Sequence, residues 1–408
     1  MSLAILLLLG LVVSRRGGAQ IQQFSSGSTG ADGALNITAP GVTYLDPKAM
    51  SINPKGDNIF NFTTINIAAG SLLKISEVKV HGPVYFLAQG DVNIKGVIDI
   101  SGLDSPGLTA TAAEQIPAFA GSGGYSGGLG GIHGDPNHQA LNGNGPGGGT
   151  AGDINTPFAA GGLFTTNRFL VPLVGGSGGG GTNDNGQYGA QGGAGGGALL
   201  IASSTKITLD SSAGGTVSNG TYNLGNGAIY AFGGNGTGRG CGGSGGAIRL
   251  VANTITDNYY NTISAVAGGG SACKTPPQNG LVRLETNSLA LTGTTQNMTN
   301  AITSLPFVLN LPTAPPPVIT VASINGVAIN ANPFSFPDTT INSTTPVPVV
   351  INATNLPINA TVVLYLLSDT SANQVIPVTL TGNNTTSTST LQVTFPSGGT
   401  RGFVKASW

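Results

Sequence analysis

Short runs of alternating apolar and polar residues recur along the chain, and they recur in a fixed order. Val84-Tyr85-Phe86-Leu87-Ala88, Ala198-Leu199-Leu200-Ile201-Ala202, Ile248-Arg249-Leu250-Val251-Ala252 and Val282-Arg283-Leu284-Glu285 make one set. Each is followed by a second short segment: Val92-Asn93-Ile94, Ile207-Thr208-Leu209, Thr254-Ile255-Thr256 and Ser288-Leu289-Ala290. In three cases a third segment ends in glycine: Val97 to Gly102, Ala228 to Gly233 and Ile263 to Gly268. Period-two runs this short predict strands and leave no length for an amphipathic helix.

Repeated triplets of short strands predict an all-β fold whose body is a parallel β-helix. Each rung would stack on the last through backbone hydrogen bonds about 4.8 Å apart. One rung cannot bury its own inward face, so stability would come from stacked neighbours. The step from Phe62 to Leu87 is 25 residues and that from Leu250 to Leu284 is 34; the 49 residues from Ile201 to Leu250 are two rungs, or one with a long loop. Gly90, Gly96 and Gly102 fall where the chain must bend, and a positive φ is one reason for them. An antiparallel sandwich also has many short strands, but it does not demand the same triplet order.

The repeat is interrupted at about 103–190, and there are 29 glycines in the 80 residues from Gly121 to Leu200. This glycine-rich insertion reads as an excursion from one side of the helix. Its tracts either pack as closely spaced extended strands, which only glycine allows sterically, or lack fixed structure. Phe158, Phe164, Phe169, Leu170, Val171 and Leu173 are the side chains available to pin it back. The 96 residues from Thr313 onward hold only five glycines, and a stiff proline linker at 312–317 marks the change. Residues 318–408 then read as a small immunoglobulin-like β-sandwich, without the Cys pair or core Trp of an antibody domain. Its predicted strands are Val318 to Ser323, Val347 to Ala353, Ala360 to Leu367, Val375 to Thr381, Thr390 to Phe395 and Gly402 to Trp408. The expected organisation is a signal peptide (1–19), an N-terminal cap segment (20–57), a β-helix (58–311), the linker and the sandwich.

The phrases Phe60 to Gly70, Gly90-Asp91-Val92-Asn93-Ile94-Lys95-Gly96, Pro172 to Gly181 and Gly245 to Ala252 resemble a family of exported glycine-rich bacterial surface proteins. The resemblance spans roughly Asn58 to Gly293 and implies a β-helix and export; its motifs are scaffold motifs and carry no catalytic residues. The final domain is similar to the sandwich modules appended to many bacterial surface proteins. Export is also read from Leu3 to Val13, an apolar run of about eleven residues, too short to span a bilayer, followed by small residues up to Ala19. Arg15 and Arg16 lie between run and cleavage site, off the usual pattern. No later run is apolar enough for a transmembrane helix.

Charge narrows the function classes. The chain has 15 Lys+Arg against 16 Asp+Glu, so charged residues are 8% of it, and no basic or acidic excess exists to attract nucleic acid or an anionic membrane. Gly-x-Ser-x-Gly occurs at Gly124 to Gly128, Gly175 to Gly179 and Gly242 to Gly246, but no helix, which a nucleophile elbow requires, is predicted after any of them, and no His follows His138. His133, Asp135 and His138 are the one cluster of candidate metal ligands, in a Gly/Pro-bearing loop with no fourth ligand in view. No cofactor is expected. The 16 acids are scattered, Asp91, Asp99 and Asp104 being the densest set, and Asp99 is expected to point outward between Ile98 and Ile100. A polysaccharide lyase or glycoside hydrolase needs acids converging on one groove, and this remains the alternative to a non-catalytic scaffold.

Two structural expectations follow from the stacking. Aligning Leu250 with Leu284 aligns Arg249 with Arg283 on the outer face, with Glu285 two residues on, as a solvated charged row. Cys241 lies nine residues before Leu250 and Cys273 eleven before Leu284, so stacking would bring the two together as a disulfide. Free buried thiols or metal ligation with a His are the competing readings. The sequence thus reads as a secreted or cell-surface structural or adhesive protein, with extracellular polysaccharide or cell-surface components as its expected partners.

Overall fold

The computed structural model describes residues 23–106, 116–153, 155, 157–183, 189–210, 227–258, 262–270, 272–291, 300–329, 338–368, 371–397 and 402–407. The signal-peptide reading of 1–19 lies outside them. The fold is all-β, with one four-residue helix among the described residues, α1 (Pro47–Met50), capped by the Asp46 side chain.

Two parallel sheets form the body. One runs through β1 (Leu35–Ile37), β4 (Ile65–Ile67), β7 (Val92–Ile94), β9 (Ala198–Asp210), β11 (Ala247–Asn258), β13 (Leu281–Leu291) and β14 (Ile302–Ser304). Strands β3 (Ile59–Phe62) and β6 (Val84–Ala88) join it, β6 pairing with the first half of β9 and β7 with the second. Two segments that are separate at β6 and β7 are therefore fused into single long strands from β9 onward. The other sheet has the order β12 (Thr262–Ser264), β10 (Ala228–Tyr230), β8 (Val97–Asp99), β5 (Ser71–Lys74) and β2 (Gly41–Tyr44). The first strand of each sheet comes from 35–44, within the segment expected to be a cap.

Alternation explains why these segments pair. Ile65, Ile67, Val92, Ile94, Ile207, Leu209 and Ile255 of the first sheet share one buried core with Ile98, Ile229 and Ile263 of the second. Phe60, Phe62 and Phe86 meet there, the Phe86 ring edge-on to both others at 5.5 and 5.4 Å. Leu250 pairs with Leu284 and with Ile201, so the 49-residue interval is a single step of the sheet. Val84 pairs with Leu199, one position from the partner that aligning the segment starts would give.

The glycine tracts are packed and bonded in a different geometry. From 175 to 183 successive amides turn to different neighbours. Gly176, Gly179 and Thr182 donate to the carbonyls of Gly196, Gly193 and Ala190, while Gly178 and Gly181 donate to Asn144 and Leu141, and Gly180 to Ala160. In 189–197 the pattern repeats: Gly189, Gly192 and Gly195 bond Gly131, Gly128 and Tyr125; Gly193 and Gly196 bond Cys241 and Ser244; Ala194 and Gly197 bond Leu103 and Ile100. Each set steps by three residues along both chains. A period of three is that of the polyproline II conformation, whereas a pleated strand repeats every two. The backbone thus satisfies itself on three sides almost throughout, Ser177 being an exception whose amide donates to Ser244 Oγ, and at the glycines there is no room for a Cβ. A Cβ on Gly192, Gly193 or Gly195 would overlap the carbonyl of Gly179, Gly234 or Gly176. Close approach also accounts for Gly96 and Gly102. Neither has a positive φ, and a Cβ on them would strike the backbone at Ala68 and Ser71, or at Gly195 and Ala194.

After the proline linker, β15 (Val318–Ile324), β16 (Val327–Ala328), β17 (Val347–Thr354), β20 (Thr381–Gly382) and β21 (Thr386–Val393) form one antiparallel sheet. A second contains β18 (Val362–Ser368), β19 (Gln374–Val378) and β22 (Gly402–Ser407). Val349 and Ile351 of the first and Leu364 and Leu366 of the second share a separate core. The β15–β16 turn has Asn325 and Gly326 at φ 50° and 78°, as the Asn-Gly pair predicts. The strand expected from Thr390 to Phe395 instead runs from Thr386 to Val393.

The three-sided bonding makes a direct prediction. Gly193→Ala should lower unfolding stability by about 3 kcal/mol, through overpacking against backbone that cannot retreat. Gly90→Ala, whose Cβ would meet Thr64 Cγ2 at 3.3 Å, should cost less than about 1 kcal/mol. Denaturant unfolding of the two variants measures the difference.

Candidate functional site

The expected solvated row of Arg249, Arg283 and Glu285 is corrected by the structure. The register holds, with Arg249 beside Arg283 and Leu250 beside Leu284, and the three charged side chains lie away from the main core. They are nonetheless buried, at 1%, 5% and 0% exposure. The reason is a second apolar layer on this face, in which Leu170 and Leu173 of the insertion pack with Tyr85, Leu200 and Val251, joined by Phe164, Leu309 and Leu311. Of the residues named to pin the insertion, Phe158 and Phe169 instead stay largely exposed, at 41% and 54%.

Under that layer Glu285 reconciles the two cations. Its Oε1 accepts from Arg249 Nε at 2.8 Å and Arg283 Nε at 2.6 Å, and its Oε2 accepts from Arg249 Nη2 at 3.1 Å and the Phe307 amide at 2.8 Å. Arg283 also donates to the Arg168 carbonyl and Ser304 Oγ, and lies 5.4 Å from the Phe169 ring centre. Burial pushes the neighbouring Tyr85 hydroxyl up to about 12, partly offset by the Arg249 charge. This network ties insertion, sheet and the chain after β14 into one structural knot.

The candidate metal cluster is not assembled. His138 is buried and its Nδ1 meets Asp135 Oδ2 at 2.5 Å, while His133 is exposed. The Asn137 amide and then His138 hold the Asp135 carboxyl below its usual range. Among the described residues no group of three or more His, Cys, Asp or Glu is placed to hold a metal ion. Cys241 and Cys273 form a disulfide with a Cα separation of 5.4 Å.

The acids are tied into the structure. Asp99 faces away from the core as expected, but is buried on Lys74 at 2.6 Å; Asp104 accepts from the Asn235 amide at 2.7 Å. Asp32 accepts from the amides of Asn53 and Asn61, both at 2.6 Å. Asp91 pairs with Lys206 at 3.3 Å and Lys95 with Asp210 at 3.4 Å.

These last two pairs flank the most regular polar feature of the surface. On the outward side of β1, β4, β7 and the second halves of β9 and β11, Asn36, Asn66, Asn93, Thr208 and Thr256 stand in register, one per strand. Each sits beside core residues, such as Leu35 and Ile37 around Asn36 or Ile207 and Leu209 around Thr208. Asn36 is exposed and the other four are half-buried. The Thr256 and Thr208 hydroxyls are 3.3 Å apart. The signal was present in the sequence as the middle residue of the second segments at Asn93 and Thr208, but only the register shows that these residues form a line with Asn36, Asn66 and Thr256.

No family model, curated protein or solved structure matches this chain.

Two stability tests follow. Glu285→Ala leaves two buried guanidinium groups without their anion and should cost about 3–5 kcal/mol in denaturant unfolding. The disulfide closes a loop with a sequence separation of 32, and its reduction should cost about 3–4 kcal/mol on the chain-entropy account. Alkylation of the denatured chain should label no thiol before reduction and two after it.

Proposed function

We propose that this chain is an exported, non-catalytic scaffold of a structural or adhesive kind, whose exposed sheet faces contact extracellular polysaccharide or cell-surface components. In this reading the body is a parallel β-helix carrying a glycine-rich insertion, and the final domain is an immunoglobulin-like module acting as spacer or adhesive unit. In-register parallel sheets around one core support the first assignment, and two antiparallel sheets around another support the second. The similarity of the glycine-punctuated motifs to exported bacterial surface proteins agrees with it. The Cys241–Cys273 bridge fits an oxidising compartment, and no helix among the described residues is long and apolar enough to cross a membrane.

One observation carries the non-catalytic part. Among the described carboxylates Asp99 is engaged by Lys74, Asp91 by Lys206, Asp210 by Lys95, Asp135 by His138 and Glu285 by two arginines, while Glu77, which burial pushes up to about 7, accepts from the Ala120 amide. A general acid or base needs a carboxyl free to exchange its proton with substrate.

Incubation of the purified chain with a panel of neutral and acidic polysaccharides should release neither reducing ends nor unsaturated products above a buffer control. Turnover that scales with protein concentration would replace the scaffold by a polysaccharide-active enzyme.

A further inference from the structure

The line of Asn36, Asn66, Asn93, Thr208 and Thr256 is costly in local terms. Asparagine is depleted in strands, yet three successive strands carry it at their central outward position. Its cost is not recovered among the described residues, with which the side-chain amides of Asn36, Asn66 and Asn93 make no hydrogen bond. Parallel sheets are ordinarily covered on both faces. Here the neighbouring half of the same sheet is covered by Leu170, Leu173 and their partners, while among the described residues no such apolar layer covers this polar half. Local rules that fail without internal compensation are expected at functional positions.

From this we infer that the Asn36–Thr256 line is a binding strip for an uncharged polysaccharide lying along the stacking direction of the sheet. The inference rests on the scaffold reading above and names the face and ligand class within it. Five side chains spaced by one strand each, about 4.8 Å, give a strip about 19 Å long, which suits a polymer better than a small solute. Each amide offers donors and an acceptor, and each hydroxyl offers both, the complement of a chain of sugar hydroxyls. The charge pattern selects a neutral partner. Two residues to one side of the Asn93–Thr208 step, Asp91 faces Lys206; two residues to the other side, Lys95 faces Asp210. Every cation beside this step already has its anion across the strand gap, so an acidic polymer or nucleic acid gains no free counter-charge there.

The test uses the full chain and its Asn66→Ala/Asn93→Ala variant, with Thr208→Val as a shape-preserving second variant and Tyr44→Ala on the other sheet as a control. Binding to cellulose, β-1,3-glucan, mannan and dextran is compared with binding to polygalacturonate, at low and high salt, after unfolding curves show the variants intact. The expected result is binding to at least one neutral polymer that salt does not weaken, reduced at least ten-fold in the double variant and unchanged by Tyr44→Ala. Binding that survives both ladder variants would overturn the strip while leaving the scaffold reading in place. Failure to bind any neutral polymer, or preference for polygalacturonate lost at high salt, would also overturn it. Release of cleaved products would instead overturn the scaffold reading.

Discussion

The structure depends on how a chain with 67 glycines satisfies its backbone once side chains are mostly absent. Buried peptide groups must be paired, and glycine tracts offer no side chains to help. The solution is a backbone that bonds in three directions, with partners changing every residue and repeating every third. Tract 189–197 leads directly into β9, and the tract ending at Gly246 leads directly into β11. Gly193 and Gly196 bond Cys241 and Ser244 in the same order that Ala198 pairs with Ala247. The glycine layer therefore continues the stacking of the parallel sheets and is not a loop hung from them.

Everything around that layer locks it in place. Leu170 and Leu173 cover the outer side of the first sheet, and the arginines beneath are neutralised by one glutamate. A buried ion cluster is weak evidence for net stability, because desolvation opposes attraction. Its consequence is geometric: Glu285 and Arg283 also hold the Phe307 amide, Ser304 and the Arg168 carbonyl, so three segments separated in sequence meet at one ion cluster. The disulfide does the same at the other end of the layer, where Cys241 is fully buried and its amide bonds Gly180.

Much of this was legible in the sequence, and the failures have identifiable causes. Period-two segments give strands, and the repeated triplet gives parallel stacking, because each follows from local alternation. The Cys pair and the Arg249–Arg283 alignment are read from spacing to the same strand, which the pairing of Leu250 with Leu284 reproduces. Burial of the charged row was not legible, since the covering residues come from 170–173, more than 75 positions away in sequence. The need for Gly96 and Gly102 was misread as backbone conformation, because close approach of another segment leaves no local mark. The polar line on the outer face shows both limits at once. Its residues stand in plain view as Asn93 or Thr208, but their alignment exists only in the register.

Native-state hydrogen exchange measures the central claim directly, because protection reports whether an amide is bonded within a cooperative unit. The account predicts that amides of Gly176, Gly179, Gly192, Gly193 and Gly196 exchange as slowly as those at the centres of β9 and β11, and that they open together with them. Exchange of the glycine-tract amides at the rate of an unstructured peptide, with β9 and β11 still protected, would contradict it.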